Sequence, residues 1–539
     1  MLLIDKKLVV FPTSRAIRNY IKSQKEFNTL LPTFLTIDEF LKKAIFVGNK
    51  KFIDEEERFL YLKEASNIKS LEKLGISNDF LSFIKQSDYL FRFFGELSSE
   101  KVDIDDLDTN DTYEFYHEHI EILKTIYLNY NQILDKHNAV DKINISKYSK
   151  INNEFISKFK TIEIHYEGYF TRFEFDSILE ISSKVETIVH FTYNKYNMKS
   201  SQSIINLGFD ISLDNSYTIN LSKKEIIKKE KYISSIVDLN IKSFLNRINQ
   251  IAYIKESITK IIEKGIEPEN IALVLPDESF VKSLQLFDNE QYFNYAMGKD
   301  ILNSIFYKTL VSTYNYFNED EKKSKERVDY FKLDISFLEK FKNSWNKRVT
   351  KELFDEFINY FLSNETNNEI KIKIEELLYK YYNLLFKVEQ NLKFKECIKI
   401  FIQKISKISL DDVNSGVITV MGLLESRAVN FDAVIICDFN ENFIPKKSVK
   451  DKFLSSNIKK RAKLPISSDR ENLQKYYYYK LINGAKYVYI SFVENENNQI
   501  SRFANELFEK SKISLEPRDK EYKHILFSNK KINHFDEKI

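Results

Sequence analysis

Thr13, Ser14, Arg15 and Arg18 follow the apolar run LVVFP and open a helical pattern, RAIRNYI. Hydroxyls, free backbone N–H groups and guanidinium groups at such a helix start can meet a phosphate. A second basic group, Lys446 and Lys447, follows Pro445, with Lys459, Lys460 and Arg461 downstream. Its reading is phosphate contact or simple solvation. Nucleotide chemistry has less support. A phosphate-cradling loop needs G-x-x-x-x-G-K-[ST], and none of the 10 glycines forms one. Gly298-Lys299 lacks the earlier Gly and the Ser/Thr. No G-x-S-x-G elbow is present for a serine nucleophile. His117 and His119 stand two apart in a helical pattern and point to different faces, which makes a poor metal pair. His165 and His190 lie in or at the ends of apolar strands and read as packed, hydrogen-bonded residues. The acidic run 103–111 has Asp108 where a calcium loop needs Gly, so it reads as a solvated turn before a helix.

The elements that must hold these residues are α/β. Short apolar runs at 8–12, 161–168, 187–193, 271–276, 433–439 and 487–493 read as buried parallel strands. A further strand precedes 433–439 in the stretch that opens at Gly416. Long helical blocks interrupt them, from about Ile37 to Tyr148 and from about Ile305 to Leu410. In the first block Asp111 and Glu114 have the spacing of a capping box. With 539 residues the chain has room for several subdomains. Only 10 Gly and 7 Pro leave few tight turns and permit long helices.

Charge is nearly balanced, 82 basic against 79 acidic side chains. That excludes a strongly basic nucleic-acid binder but not a local positive groove. Cys397 and Cys437 are too few for a disulfide framework or a four-cysteine cluster, and Cys437 reads as packing inside a strand. No apolar run reaches a membrane span of about 20 residues, and no signal peptide stands at the start, so the expectation is a cytoplasmic protein.

Several segments together resemble the superfamily-1 helicases, and within them the RecB, RecC and AddB families of bacterial helicase–nuclease complexes. FPTSRAIRNYI (11–21) resembles motif Ia, and LPTFLTIDEFL (31–41) the segment after it. HYEGYFTRFEFDSIL (165–179) is similar to the AddB form of the Walker B region. GIEPENIALVLPDESF (265–280) and FNYAMGKDI (293–301) resemble the opening of a second lobe. ESRAVNFDAVIICDFNENFIP (425–445) and SDRENLQKYYYYKLINGAKYVYIS (468–491) match motifs V and VI in place and order.

The resemblance implies two RecA-like lobes, each with a helical insertion. The first lobe would be 1–34 and 159–235, with insertion 35–158. The second would be 236–304 and 411–508, with insertion 305–410. A polar tail, 509–539, reads as a junction to an absent PD-(D/E)XK nuclease domain. The implied partners are DNA, as a single strand or a duplex end, and an AddA-like subunit that carries ATP and magnesium. No membrane and no cofactor in this chain are expected. The implied DNA contacts are Thr13, Ser14, Arg15, Arg18, Arg427, Lys446 and Lys447. Arg427 has an alternative in pairing with Glu425 or Asp432. Glu167, Arg470 and Lys475 would line a vestigial nucleotide cleft. The tyrosines 476–479 read as core and lobe packing, with base-stacking platforms as the alternative.

Departures from the family pattern decide the activity expected. Leu8 already begins the strand into the motif Ia-like segment, leaving no room before it for a strand and phosphate loop. Walker B needs paired acids at a strand end to hold magnesium, and here stands His165-Tyr166-Glu167-Gly168. The Lys-Gly-Leu-Glu of motif V becomes Arg427, Ala428, Val429 and Asn430, and the Thr-Arg-Ala of motif VI becomes Asn483, Gly484 and Ala485. The expectation is a catalytically degenerate, DNA-binding helicase-like subunit in double-strand-break repair, with no catalytic residue and no metal ligand of its own. An active helicase or exonuclease with unrecognised motifs, and a non-catalytic scaffold or decayed gene product, stay open as alternatives.

Overall fold

The computed structural model describes residues 6–24, 31–107, 114–296, 298–318, 322–386, 392–410, 416–448 and 451–522. Strand β1 (Lys7–Phe11) leads into helix α1 (Ser14–Ser23), and β2 (Thr33–Thr36) follows. Helices α2 (Glu55–Ala65), α3 (Phe80–Ser99) and α4 (Glu114–Lys136) come next. The chain then returns to sheet with β3 (Thr161–His165), helix α5 (Arg172–Ser182), β4 (Glu186–Tyr193), β5 (Asn215–Asn220) and β6 (Glu225–Lys231). The strand order of this first sheet is β6-β5-β4-β3-β1-β2. Strands β2, β1, β3 and β4 are parallel, while β5 and β6 fold back antiparallel at one edge.

A second sheet begins with β7 (Asp238–Phe244), helix α6 (Gln250–Glu263), β8 (Ile271–Val274) and β9 (Phe293–Tyr295). A run of helices ends with α7 (Asn368–Phe386) and α8 (Phe394–Ile405). Strands β10 (Ile418–Met421) and β11 (Ala433–Ile436), helix α9 (Ser467–Gly484) and strand β12 (Tyr487–Val493) complete it. Its order is β7-β12-β11-β8-β10-β9, and every pairing is parallel.

The two sheets are buried differently. IALV of β8, ITVM of β10 and AVII of β11 are buried at every position, as continuous apolar runs predict for strands covered on both faces. TIEIH of β3 and the first half of β4 alternate instead. Leu8, Val10, Ile162, Ile164 and Val189 pack on one face with Phe175, Ile178 and Ile181 of α5. Val9 and Phe11 point the other way and share a core with Val274, Met421, Val434, Ile436 and the α9 tyrosines. The two sheets therefore meet through the polar-bearing face of the first. The expectation of fully buried strands fails for β3 and β4, because Glu163, His165 and His190 occupy every second place.

The helical blocks, read as separate insertions, share one core. It runs from Ile53 through α2, α3 and α4, continues from Ile301 to Leu410, and takes in Phe453, Leu454, Ile458 and Leu464. Helices α2 and α7 touch directly. Asp54 and Asp79 cap α2 and α3, accepting the Glu57 and Ser82 N–H groups at 2.8 and 2.9 Å. Helix α4 buries Ile120, Leu123 and Ile126 as its period predicts, while Asp111 lies outside the described residues. No helix among the described residues is long and apolar enough to cross a membrane.

The described part of the polar tail, 509–522, packs against the second sheet. Pro517 pairs with Ser243 at the edge of β7, and Tyr522 is buried against Phe244 and Tyr253. One buried tyrosine and a backbone bridge dock this segment, a signal too sparse to show as periodicity.

Candidate functional site

Helix α1 starts within two residues of β1. Thr13 Oγ1 accepts the Ala16 N–H at 3.1 Å and caps the helix. Arg15 reaches Thr419 Oγ1 of β10 at 3.3 Å, and burial, with Arg18 nearby, holds its pKa below the usual arginine value. Lys22 pairs with Glu269 at 2.8 Å. Arg15 and Lys22 therefore tie the first sheet to the second. Ser14 and Arg18 are the exposed members of the motif Ia-like group.

Glu167, just past β3, sends its carboxylate across the same seam to accept the backbone N–H of Ala428. Ala428 has φ +55°, in the left-handed region that favours glycine. Gly168 at φ +151° lies under Tyr477, whose hydroxyl would sit 3.0 Å from an added Cβ. Arg427 lies 5.8 Å from the centre of the Tyr477 ring and donates from Nε to the Leu424 carbonyl at 2.9 Å. It pairs with neither expected acid: Asp432 bonds Lys486 at 2.9 Å, and Glu425 faces Arg15.

Helix α9 of the second sheet's unit reaches strand β4 of the first sheet. Lys480 donates to Thr192 Oγ1 at 3.1 Å and stands 4.4 Å from the Tyr232 ring centre. Burial lowers its pKa, and the Glu167 carboxylate opposes that shift. Tyr476 donates to the Thr192 carbonyl at 3.3 Å, and Tyr232 to the Lys480 carbonyl at 3.3 Å. Tyr476, Tyr477 and Tyr478 are buried, which is the packing role read for them. Between these groups and the polar-bearing face of the first sheet lies a cleft of about 760 Å³.

Arg470 and Lys475 belong to α9 but not to this cleft. Arg470 binds Glu96 of α3 at 3.1 Å and lines a separate cavity of about 460 Å³ with Glu100, Tyr169 and Lys452. Lys475 binds Glu506 at 2.6 Å. Their spacing along the helix turns them away from Glu167. Lys446 and Lys447 follow the cis Ile444–Pro445 bond and have exposed side chains. Gln474 holds the Lys446 backbone at both N–H and carbonyl, each at 2.9 Å. Lys459, grouped with them in sequence, is buried between Glu96 and Asp451 at 2.7 and 2.9 Å.

Near the strand ends of the second sheet, Arg247 bridges Asp277 and Asp438 at 2.8 and 2.6 Å. The Asp438 carboxylate is buried, also takes Gln250 at 2.7 Å, and has its pKa raised by that burial. Arg247, Gln250 and Lys480 carry no motif in the sequence. They stand 191, 188 and 288 positions from Asp438, Asp438 and Thr192, and no local pattern links them.

The polar-bearing face of the first sheet carries a further group beside the cleft. Glu163 and His165 on β3 and His190 on β4 bring ligand-capable atoms within 4.8 Å of one another. Burial beside His190 lowers the His165 pKa to about 4. The Glu163 carboxyl is pulled down to about 2, because His190 and Lys7 outweigh its burial.

No protein-family model matches the chain. It is 24% identical over 225 residues to the DNA mismatch repair protein MutS of Borrelia garinii subsp. bavariensis, a stretch covering 38% of this chain and 26% of that protein. The chain thus matches about a quarter of the length of this curated relative.

Proposed function

We propose that this chain handles DNA through two RecA-like lobes that no longer hydrolyse ATP, as the degenerate helicase-like subunit of a helicase–nuclease complex in DNA repair. The observation that carries this reading is the bond from Glu167 to the Ala428 N–H. A motor of this type keeps carboxylates at that strand end for magnesium, and a mobile seam between lobes for nucleotide. Here the carboxylate is spent on the opposite lobe, and Arg15, Lys480 and Tyr476 add further ties. The helix after β1 is capped by Thr13 with no glycine-rich turn between them. Exposed Arg18, Lys446 and Lys447 supply cations for phosphate. The likeness to a DNA mismatch repair protein supports a DNA-repair setting.

The test is fluorescence anisotropy with labelled single strands and duplex ends, alongside DNA-stimulated ATP hydrolysis by the isolated chain. Binding that weakens steeply with salt, without hydrolysis, is the expected result. No DNA affinity at low salt sinks the DNA role. Robust DNA-stimulated hydrolysis sinks the degenerate assignment and restores an active motor.

A further inference from the structure

Glu163 and His165 stand two apart on β3 and share one sheet face. His190 on β4 is the register partner of His165, so it faces the same way. This places two imidazoles and a carboxylate in one patch that opens to the 760 Å³ cleft.

Each group is oriented by a neighbour. His190 Nδ1 lies 3.0 Å from Thr218 Oγ1 on β5. That contact turns Nε2 toward Glu163 Oε2, at 3.7 Å, too long for a hydrogen bond. The Nε2 atom is buried and has no hydrogen-bond partner. Lys7 holds the other Glu163 oxygen at 2.8 Å, leaving Oε2 for a ligand. The His165 ring is stacked between Phe11 at 4.2 Å and His190 at 4.6 Å. Buried polar nitrogens without partners are rare, because each loses its hydration with nothing in exchange.

We propose that Glu163, His165 and His190 form a binding site for a divalent transition metal, zinc above all, with a fourth position open to the cleft. Two histidines and one carboxylate with an open place is an established zinc donor set. Bonds of about 2.0–2.1 Å in a tetrahedron put donor atoms about 3.3 Å apart. The His190–Glu163 separation of 3.7 Å is already near that value. The His165 and His190 rings stack 18° from parallel, so metal binding requires the His165 ring to turn out of that stack and aim its nitrogen at the shared position. Thr218 and Lys7 act as the outer partners that fix ligand orientation.

The test uses the full chain stripped with chelator, titrated with zinc chloride by calorimetry and with cobalt(II) by visible absorption. Expected are one tight zinc per chain and the intense d–d bands of tetrahedral cobalt. His165→Ala and His190→Ala abolish both. Thr218→Val keeps all three ligands and weakens zinc binding by about 10–100-fold. Glu163→Gln preserves shape and serves if a histidine variant fails to fold. Absence of tight zinc or of tetrahedral bands in the wild type overturns the site, as does zinc binding that persists undiminished in folded ligand variants.

Discussion

The carboxylate of Glu167 accepts the backbone N–H of Ala428, joining the end of a first-sheet strand to the loop that follows β10. The bond holds an alanine at φ +55°, a conformation that costs an L-residue about 1–2 kcal/mol. Two outcomes follow. Ala428→Gly relieves that strain and stabilises the protein by about 1 kcal/mol, less the entropy glycine adds to the unfolded chain. Glu167→Ala removes a charged acceptor and costs about 1.5–3 kcal/mol. Urea denaturation of both variants reads these values, and a destabilised Ala428→Gly contradicts the strain argument.

Arg247 holds a buried acid in place. Its guanidinium is 2.6 Å from Asp438, whose side chain is only 1% exposed. Arg247→Met leaves that carboxylate buried without its cation and costs about 3–5 kcal/mol. Asn tolerates the left-handed φ of +53° at position 438. The double variant Arg247→Met/Asp438→Asn is therefore expected to recover most of the loss. A double variant no more stable than the single one refutes the charge-burial cause.

Lys480 gives a pH signature. Burial lowers its folded-state pKa, so between that value and the ordinary lysine value of about 10.4 the unfolded chain binds more protons. Stability from this group is thus fully present above the unfolded pKa and is lost as pH falls through the folded pKa. The difference between wild type and Lys480→Met should rise with pH across that window, by at most about 1.4 kcal/mol per pH unit. Parallel stability curves from pH 7 to the alkaline limit, in ~0.5-unit steps, rule out a depressed Lys480.

The basic residues divide by their structural commitments. Lys446, Lys447 and Arg18 are exposed, whereas Arg15 is tied to Thr419. For single-stranded DNA, removing one cation that neutralises a phosphate lowers the salt slope of the binding constant by about 0.7. Lys446→Ala, Lys447→Ala and Arg18→Ala should each lower it. Arg15→Ala should lower thermal stability while leaving the slope unchanged. Equal slopes for wild type and the Lys446→Ala/Lys447→Ala variant exclude these lysines as phosphate-binding groups.

Sequence alone determined the α/β class and the central strands, because runs such as IALV and AVII are apolar at every position and can only be buried on both faces. It determined α1 as a helix opened at Thr13, since strand, cap and helical period are all local. It favoured packing over base stacking for the tyrosines 476–479, and Tyr476, Tyr477 and Tyr478 are buried. Tertiary structure decided what register and long-range closure control. The pairing of β3 with β4 sets His165 beside His190, and a shift of one residue would turn them to opposite faces. The rotation of α9 sends Arg470 and Lys475 to Glu96 and Glu506, though they share a helix with residues that line the cleft between the two sheets. The merging of two helical blocks into one core likewise leaves no local trace. Each block shows its own apolar stripe, and a stripe does not name the surface that covers it.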